Sequence, residues 1–181
     1  MYKLGIDVGG TNTDAVLVDE NRAGVAAIKY PTSADIYDGI LGAMRTVLEV
    51  SGVDPAQIHQ AMLGTTQCTN AIVERKNLAP IGILRMGAPA TTGIRPMENA
   101  TILNAALWQV AERFTEGFAK SLRDEGIVNA DVYLSQNDGT LMTMEHARRY
   151  PILTVACGPT NSIRGASYLS SLKDAIVVDV G

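Results

Sequence analysis

Leu4, Ile6 and Val8 alternate with Gly5 and Asp7, the period of two that gives a strand one buried face, and a second short apolar run answers it over 15–18. The Gly-Gly and Asn between them are turn chemistry, so the two runs predict a β-hairpin. A third strand is predicted over 24–30, after the turn Glu20-Asn-Arg-Ala-Gly24. From Ile36 the spacing becomes helical: Ile36, Ile40, Leu41, Met44, Val47 and Leu48 recur up to Gly52, behind the helix-start residues Thr32-Ser-Ala-Asp35.

The pattern continues with a link at Asp54-Pro-Ala-Gln-Ile and a short strand over 60–63 that runs into Gly64-Thr-Thr66. A helix over 69–76 is expected to carry Ala71, Ile72 and Val73 into the core, and the apolar run 79–85 reads as a buried strand. Residues 86–98 are rich in Gly, Pro and Thr and read as an irregular linker. One helix from Asn99 or Thr101 to about Glu125 follows, with Ile102, Leu103, Ala106, Leu107, Val110, Phe114, Phe118 and Leu122 on its apolar stripe. Trp108 lies off that stripe, as core edge or as an interface anchor.

A strand over 131–135 leads to the turn Gln136-Asn-Asp-Gly-Thr140, and Thr143 caps a helical turn beside the packing residues Met142 and Met144. Tyr150-Pro151 breaks it, a helix is predicted over 162–172, and 175–180 reads as a last strand. The fold class is therefore α/β: a mixed sheet opening with antiparallel strands, then β-α units, with helices packed on the sheet.

Composition narrows the function. Of 181 residues 46% are hydrophobic, enough for a real core, and the net charge of −4 without a basic run argues against nucleic-acid binding. Two cysteines, Cys68 and Cys157, form no Cys-x-x-Cys pair, which fits a reducing cytoplasm and reads as buried thiols rather than a disulfide. Without a signal-type start or a long apolar run, neither export nor a membrane span is expected.

Packing alone explains Gly5-Ile-Asp-Val-Gly-Gly-Thr-Asn-Thr-Asp14 poorly. Glycines let backbone amides approach phosphate oxygens, Thr11 and Thr13 carry hydroxyls, and an ionised Asp7 suits Mg²⁺ or its waters. A plain hairpin turn fits the same residues. The stretch is neither a P-loop nor the full Gly-x-Gly-x-x-Gly of dinucleotide folds. The plan of Lys3-Leu-Gly-Ile-Asp-Val-Gly9 returns in Ala175-Ile-Val-Val-Asp-Val-Gly181: an apolar strand with an Asp two residues before a Gly.

This duplication resembles the actin and sugar-kinase superfamily, in which two such turns grip ATP from opposite sides. With Leu63-Gly-Thr-Thr-Gln-Cys-Thr-Asn-Ala-Ile-Val-Glu-Arg-Lys76, Gln136-Asn-Asp-Gly-Thr140 and Gly158-Pro-Thr-Asn-Ser162 in order between the copies, the chain resembles the N-terminal part of the A-type subunit of the ATP-dependent hydantoinase/5-oxoprolinase family. The resemblance implies an actin-like ATPase (ribonuclease H-like) lobe, with 1–86 as the first subdomain, 87–98 as a linker shorter than the family's, and 99–181 as a helix plus β-α segment.

It further implies ATP-driven opening of a cyclic amide, a hydantoin or 5-oxoproline, with a B-type subunit as partner. ATP and Mg²⁺ are the implied cofactors. Asp7 and Asp179 are the expected metal contacts, and Gly9, Gly10, Thr11, Asn12, Thr13, Asp14, Gly158 and Gly181 the expected phosphate contacts. Thr65, Thr66, Thr69 and Asn70 are expected to orient substrate or phosphate. Where many relatives carry His, this chain has Leu63. The end at Gly181, inside the second turn, reads as a truncated module inactive alone. Two alternatives stay open: a sugar or small-carboxylate kinase lobe, with Asp138 as its one candidate base, and a non-catalytic assembly module.

Overall fold

A computed structural model describes residues 1–33, 35–83, 96–172 and 174–178, without the side chains of 96 and 97. Alternation in strands β1 (Tyr2–Val8) and β2 (Asn12–Val18) buries Leu4, Ile6 and Val8 with Thr13, Ala15 and Leu17 on one face. Their antiparallel register sets Leu4 opposite Leu17 and Ile6 opposite Ala15. β3 (Gly24–Pro31) continues the meander as an edge strand, where the missing amide of Pro31 costs no ladder bond.

Helix α1 (Ile36–Ser51) then crosses the buried face. The Asp35 side chain accepts the Tyr37 amide at 2.9 Å, and left-handed Gly52 ends the helix by donating to the Leu48 carbonyl at 2.9 Å. A single 3-10 turn, Pro55–Gln57, feeds β4 (Ile58–Thr65), which lies parallel to β1. After α2 (Gln67–Glu74), α3 (Pro96–Ala106) and α4 (Trp108–Asp124), β5 (Asp131–Ser135) pairs parallel to β4 and β6 (Leu141–Thr143) antiparallel to β5. The strand order is β3-β2-β1-β4-β5-β6, so one sheet draws strands from both sides of the 87–98 linker. Helices α5 (Met144–Arg149) and α6 (Cys157–Ser170) complete the chain.

The core lies between the sheet and the pair α1 and α4. Phe114 and Phe118 are fully buried there with Ile40, Met44 and Leu134. Burial of each such side chain stabilises the lobe by about 1.5 to 3 kcal/mol.

Several expectations need correction. α2 starts at Gln67 rather than Thr69 and buries Cys68 and Ala71, whereas Val73 is 75% exposed. Eight residues make two turns, and the one apolar stripe they offer excludes position 73. Residues 79–83 form no strand, because β1 and β5 already occupy both sides of β4; Ala79 instead donates to the Ala106 carbonyl at 2.9 Å. Residues 84 and 85 of that expected strand lie outside the described residues, as does the linker up to 95.

The expected single helix is two, α3 and α4, meeting at Leu107. Trp108 is 52% exposed. α6 begins five residues before the expected Ser162, since Pro159 falls in its first turn, where an absent amide leaves nothing unpaired. Residues 175–178 have no ladder partner and form no strand, and Asp179 to Gly181 lie outside the described residues.

Candidate functional site

Strands β1, β4 and β5 run parallel, so their C-terminal ends share one edge of the sheet, the usual ligand position in open α/β sheets. The β1–β2 turn, the β4–α2 junction, the β5–β6 loop and the start of α6 meet at that edge.

In the β1–β2 turn the Gly9 amide donates to the Asn12 carbonyl at 2.9 Å, leaving Gly10 and Thr11 at the tip. Thr32 straps the turn from behind. Its amide donates to the Thr11 carbonyl at 2.9 Å, its hydroxyl donates to the Gly9 carbonyl at 3.0 Å, and the same hydroxyl lies 3.2 Å from the Thr13 hydroxyl. Thr13 is thus fully buried and supports the turn, while Thr11 stands exposed and Asn12 half-buried.

The two glycines have different reasons. A Cβ on Gly9 would come within 2.9 Å of the Asn12 carbonyl oxygen, so the turn itself requires it. A Cβ on Gly10 would meet only Asn70 Nδ2, at an ordinary 3.9 Å, and its φ is not left-handed. Nothing within the fold demands a glycine at position 10. A bare backbone there suits close approach of a ligand such as phosphate.

Asp7 stands beside this turn on the sheet face opposite the core. It pairs in register with Asp14 on β2 and with Gly64 on β4, and Asp14 pairs in turn with Lys29. Lys29 Nζ lies 3.2 Å from one Asp14 oxygen, leaving Asp7 and Asp14 as neighbouring carboxylates in a cleft of ≈ 360 Å³. Such a pair favours a bound cation, and Mg²⁺ typically uses one or two carboxylates plus water and phosphate oxygens. Among the described residues no group of three or more His, Cys, Asp or Glu is placed to hold a metal.

The β4–α2 junction and α6 close the other side. The Thr66 amide donates to the Val8 carbonyl at 3.1 Å, Asn70 Nδ2 to the Thr66 hydroxyl at 3.3 Å, and the Thr65 hydroxyl accepts the Gln67 amide at 3.2 Å. Thr69 accepts the Ala156 amide at 3.0 Å, and Cys157 donates to the Thr65 carbonyl at 3.4 Å. Four expected residues, Thr65, Thr66, Thr69 and Asn70, therefore sit together, with Thr65 buried inside the junction.

A Cβ on Gly64 would lie 2.7 Å from Asp7 Oδ1 and 3.1 Å from Asn161 Nδ2, which places Asn161 over the same point. Gly158 has open space around its Cβ position, within the first turn of α6 rather than before the helix. Thr32, Gly64 and Asn161 were not singled out from sequence, although Gly64 and Asn161 stand inside motifs that were.

Other candidates recede. Asp138 accepts the Thr140 amide and hydroxyl at 2.8 and 2.7 Å, and these bonds lower its pKa, which makes it a weaker base. Burial raises the Cys157 thiol pKa and the nearby Asp7 charge adds to it, so the thiol stays protonated. Leu63 is 1% exposed on the core face, so position 63 points away from the cleft.

Residues 3–137 match the family model described as hydantoinase/oxoprolinase N-terminal region, and residues 98–181 match the model described as hydantoinase/oxoprolinase. The chain belongs to the hydantoinase/oxoprolinase family. It is 33% identical over 90 residues to the caprolactamase subunit alpha of Pseudomonas jessenii, a match covering 46% of this chain and 12% of that protein. It is also 33% identical over 79 residues to an uncharacterised protein of Methanocaldococcus jannaschii, covering 44% and 11%. These matches span only about an eighth or less of the relatives' length.

A solved nucleotide-free structure of acetone carboxylase, an ATP-dependent enzyme, superposes with a TM-score of 0.65 at 13% identity, over 93% of this chain and 40% of that one. The likeness bears out the expected α/β fold. Among the described residues no helix of this hydantoinase/oxoprolinase chain is long and apolar enough to cross a membrane.

Proposed function

We propose that this chain supplies the first phosphate-binding turn and the metal-binding carboxylate of an ATP-dependent enzyme that opens cyclic amides. The observation that carries this reading is Gly10, a glycine the fold does not require, at the tip of a turn beside the Asp7 carboxylate. Backbone amides of Gly9 to Thr11 bind phosphate oxygens. Asp7, with Asp14 next to it and Asp179 from the second strand-Asp-x-Gly motif, holds Mg²⁺ or its waters. Thr66 and Asn70 position the reacting groups, and Gly158 and Gly181 contribute backbone to the phosphates. ATP would supply the phosphoryl group to the amide oxygen, with ADP leaving, and so activate a carbonyl carbon too weakly electrophilic for water to attack unaided.

Residues 1–86 and 99–181 act as successive segments of one nucleotide-binding lobe, joined by a shortened connection at 87–98. The substrate is a hydantoin, 5-oxoproline or a related lactam, the partner is a B-type subunit, and the compartment is the cytoplasm. Support for ring opening comes from the family and from the caprolactamase relative; support for ATP use comes also from the carboxylase fold. Because relatives are several times longer, the 181 residues alone give little or no turnover.

Calorimetry of Mg-ATP binding to the 181-residue chain tests the nucleotide site. Weak, Mg-dependent binding that disappears in Asp7→Asn and Gly10→Val supports it. Binding that both substitutions leave unchanged overturns it.

A further inference from the structure

A second groove opens beside the turn, on the core side of the sheet, between α1, α2 and α4. Its inner part, of ≈ 130 Å³, sets Gln67, Asn70, Asn77 and Arg113 around Ile36 and Val110, with the Glu74 and Lys76 pair on its wall. It widens past Ile36, Gln67, Asn77 and Arg113 into an outer cleft of ≈ 720 Å³ whose wall also carries Asp35, Glu116 and Lys120. Asn70 belongs to the inner groove and is also the residue that faces Gly10. The groove is therefore continuous with the turn assigned to phosphate.

Its chemistry is specific. Val110 and the half-buried Ile36 offer apolar surface, while Gln67 and Asn77 have side-chain amides with no hydrogen bond among the described residues. Each amide carries both a donor and an acceptor, the complement of a ring N–H next to a C=O. The nearby cations differ in their engagement. Lys76 pairs with Glu74 at 3.3 Å, and Lys120 pairs with Asp124 at 3.0 Å while lying over the Tyr37 ring. Arg113, where the inner and outer parts join, has neither ion pair nor hydrogen bond among the described residues. The inner volume falls well below the roughly 300 Å³ and more of sites for drug-sized ligands, and suits a small ring.

We infer that this groove binds a small cyclic amide bearing a carboxylate, with Arg113 holding the carboxylate and Gln67 and Asn77 reading the ring amide. Arg113 is then a specificity-determining residue that favours 5-oxoproline-like rings over uncharged lactams. The inference rests on the cyclic-amide reading above and fixes which member of that class the site takes. The ring amide would lie near Asn70, within reach of the phosphate turn, as transfer to its oxygen requires.

Amide NMR spectra of the full 181-residue chain, titrated with 5-oxo-L-proline and separately with 2-pyrrolidinone, test it. Expected are saturable shifts at Gln67, Asn70, Asn77 and Arg113 with 5-oxo-L-proline, about tenfold weaker binding of the uncharged ring, and loss of that difference in Arg113→Gln. Arg113 is exposed on α4, so the substitution leaves the fold intact. Equal response to both rings, no saturable shift, or an unaltered preference in Arg113→Gln overturns the inference. Asp7→Asn separates it from the nucleotide reading: that variant loses Mg-ATP binding and keeps the ring preference, whereas loss of the preference in Asp7→Asn places the ring elsewhere and overturns the groove.

Discussion

Asp7 Oδ1 occupies the space above Gly64, 2.7 Å from where a Cβ on that glycine would stand. Gly64 is therefore a glycine because the carboxylate lies across it, and the two residues, in register on adjacent parallel strands, act as one device.

Gly64→Ala is expected to move Asp7 rather than break the sheet, because the obstructing atoms are side-chain ends of Asp7 and Asn161. Stability should fall by less than about 1.5 kcal/mol while Mg-ATP binding drops by about tenfold or more. Urea denaturation and calorimetry on the same preparation separate the two effects. A loss of stability with Mg-ATP binding unchanged would mean that Gly64 serves packing only.

Gly9 and Gly10 should respond in opposite ways. Gly9→Ala forces a Cβ onto the Asn12 carbonyl and is expected to cost about 1 to 3 kcal/mol of stability. Gly10→Ala meets only ordinary contact and should leave stability unchanged while reducing nucleotide binding. Thermal unfolding with and without Mg-ATP reads the contrast.

Thr32 bridges the Gly9 carbonyl and the Thr13 hydroxyl. Thr32→Val keeps the shape and removes both bonds, leaving buried Thr13 without this partner, at a cost of about 1 to 3 kcal/mol. Amide hydrogen exchange should quicken at Gly9 and Asn12, and an unchanged rate there would show that the strap is dispensable.

Burial pushes the Cys68 thiol up from the ordinary 9.0 to about 11. The native state thus keeps a proton that the unfolded chain gives up, so stability falls as pH rises through that window. Two units correspond to about 2 to 3 kcal/mol lost by pH 11. Denaturation midpoints of the parent and Cys68→Ala, compared at pH 8 and 10.5, should show the steeper alkaline decline in the parent.

What the sequence disclosed depended on how local each signal was. α1 was legible at both ends because Asp35 and Gly52 are capping chemistry written next to an amphipathic stripe. The hairpin was legible because Leu4, Ile6 and Val8 alternate cleanly. Residues 79–85 misled: an apolar run without alternation says only that a segment avoids water, and whether a ladder is free to receive it depends on strands far along the chain. The start of α6 was missed for another reason: Gly158 and Pro159 read as loop chemistry by type, yet a proline is welcome in the first turn of a helix.

At the site, Asp7 and the glycines stood out by type. Thr32 did not, because a threonine before a helix is ordinary chemistry and its service to a turn some twenty residues earlier is a product of the meander. Asn161 comes over Gly64 only because α6 folds back onto β4, a relationship no local pattern encodes.

The bonds from Ala156 to Thr69 and from Cys157 to Thr65 join residues 87 and 92 positions apart. Contacts of that span form late, after the loop between them has been drawn in. During synthesis the β1–β2 hairpin is complete long before the ribosome has delivered Ala156, so the cleft is the last part of the lobe to be sealed. Until then Asp7 and the bare tip at Gly10 face water on a half-built sheet, and a nascent chain stalled before α6 carries the turn without the wall that would hold a ligand against it.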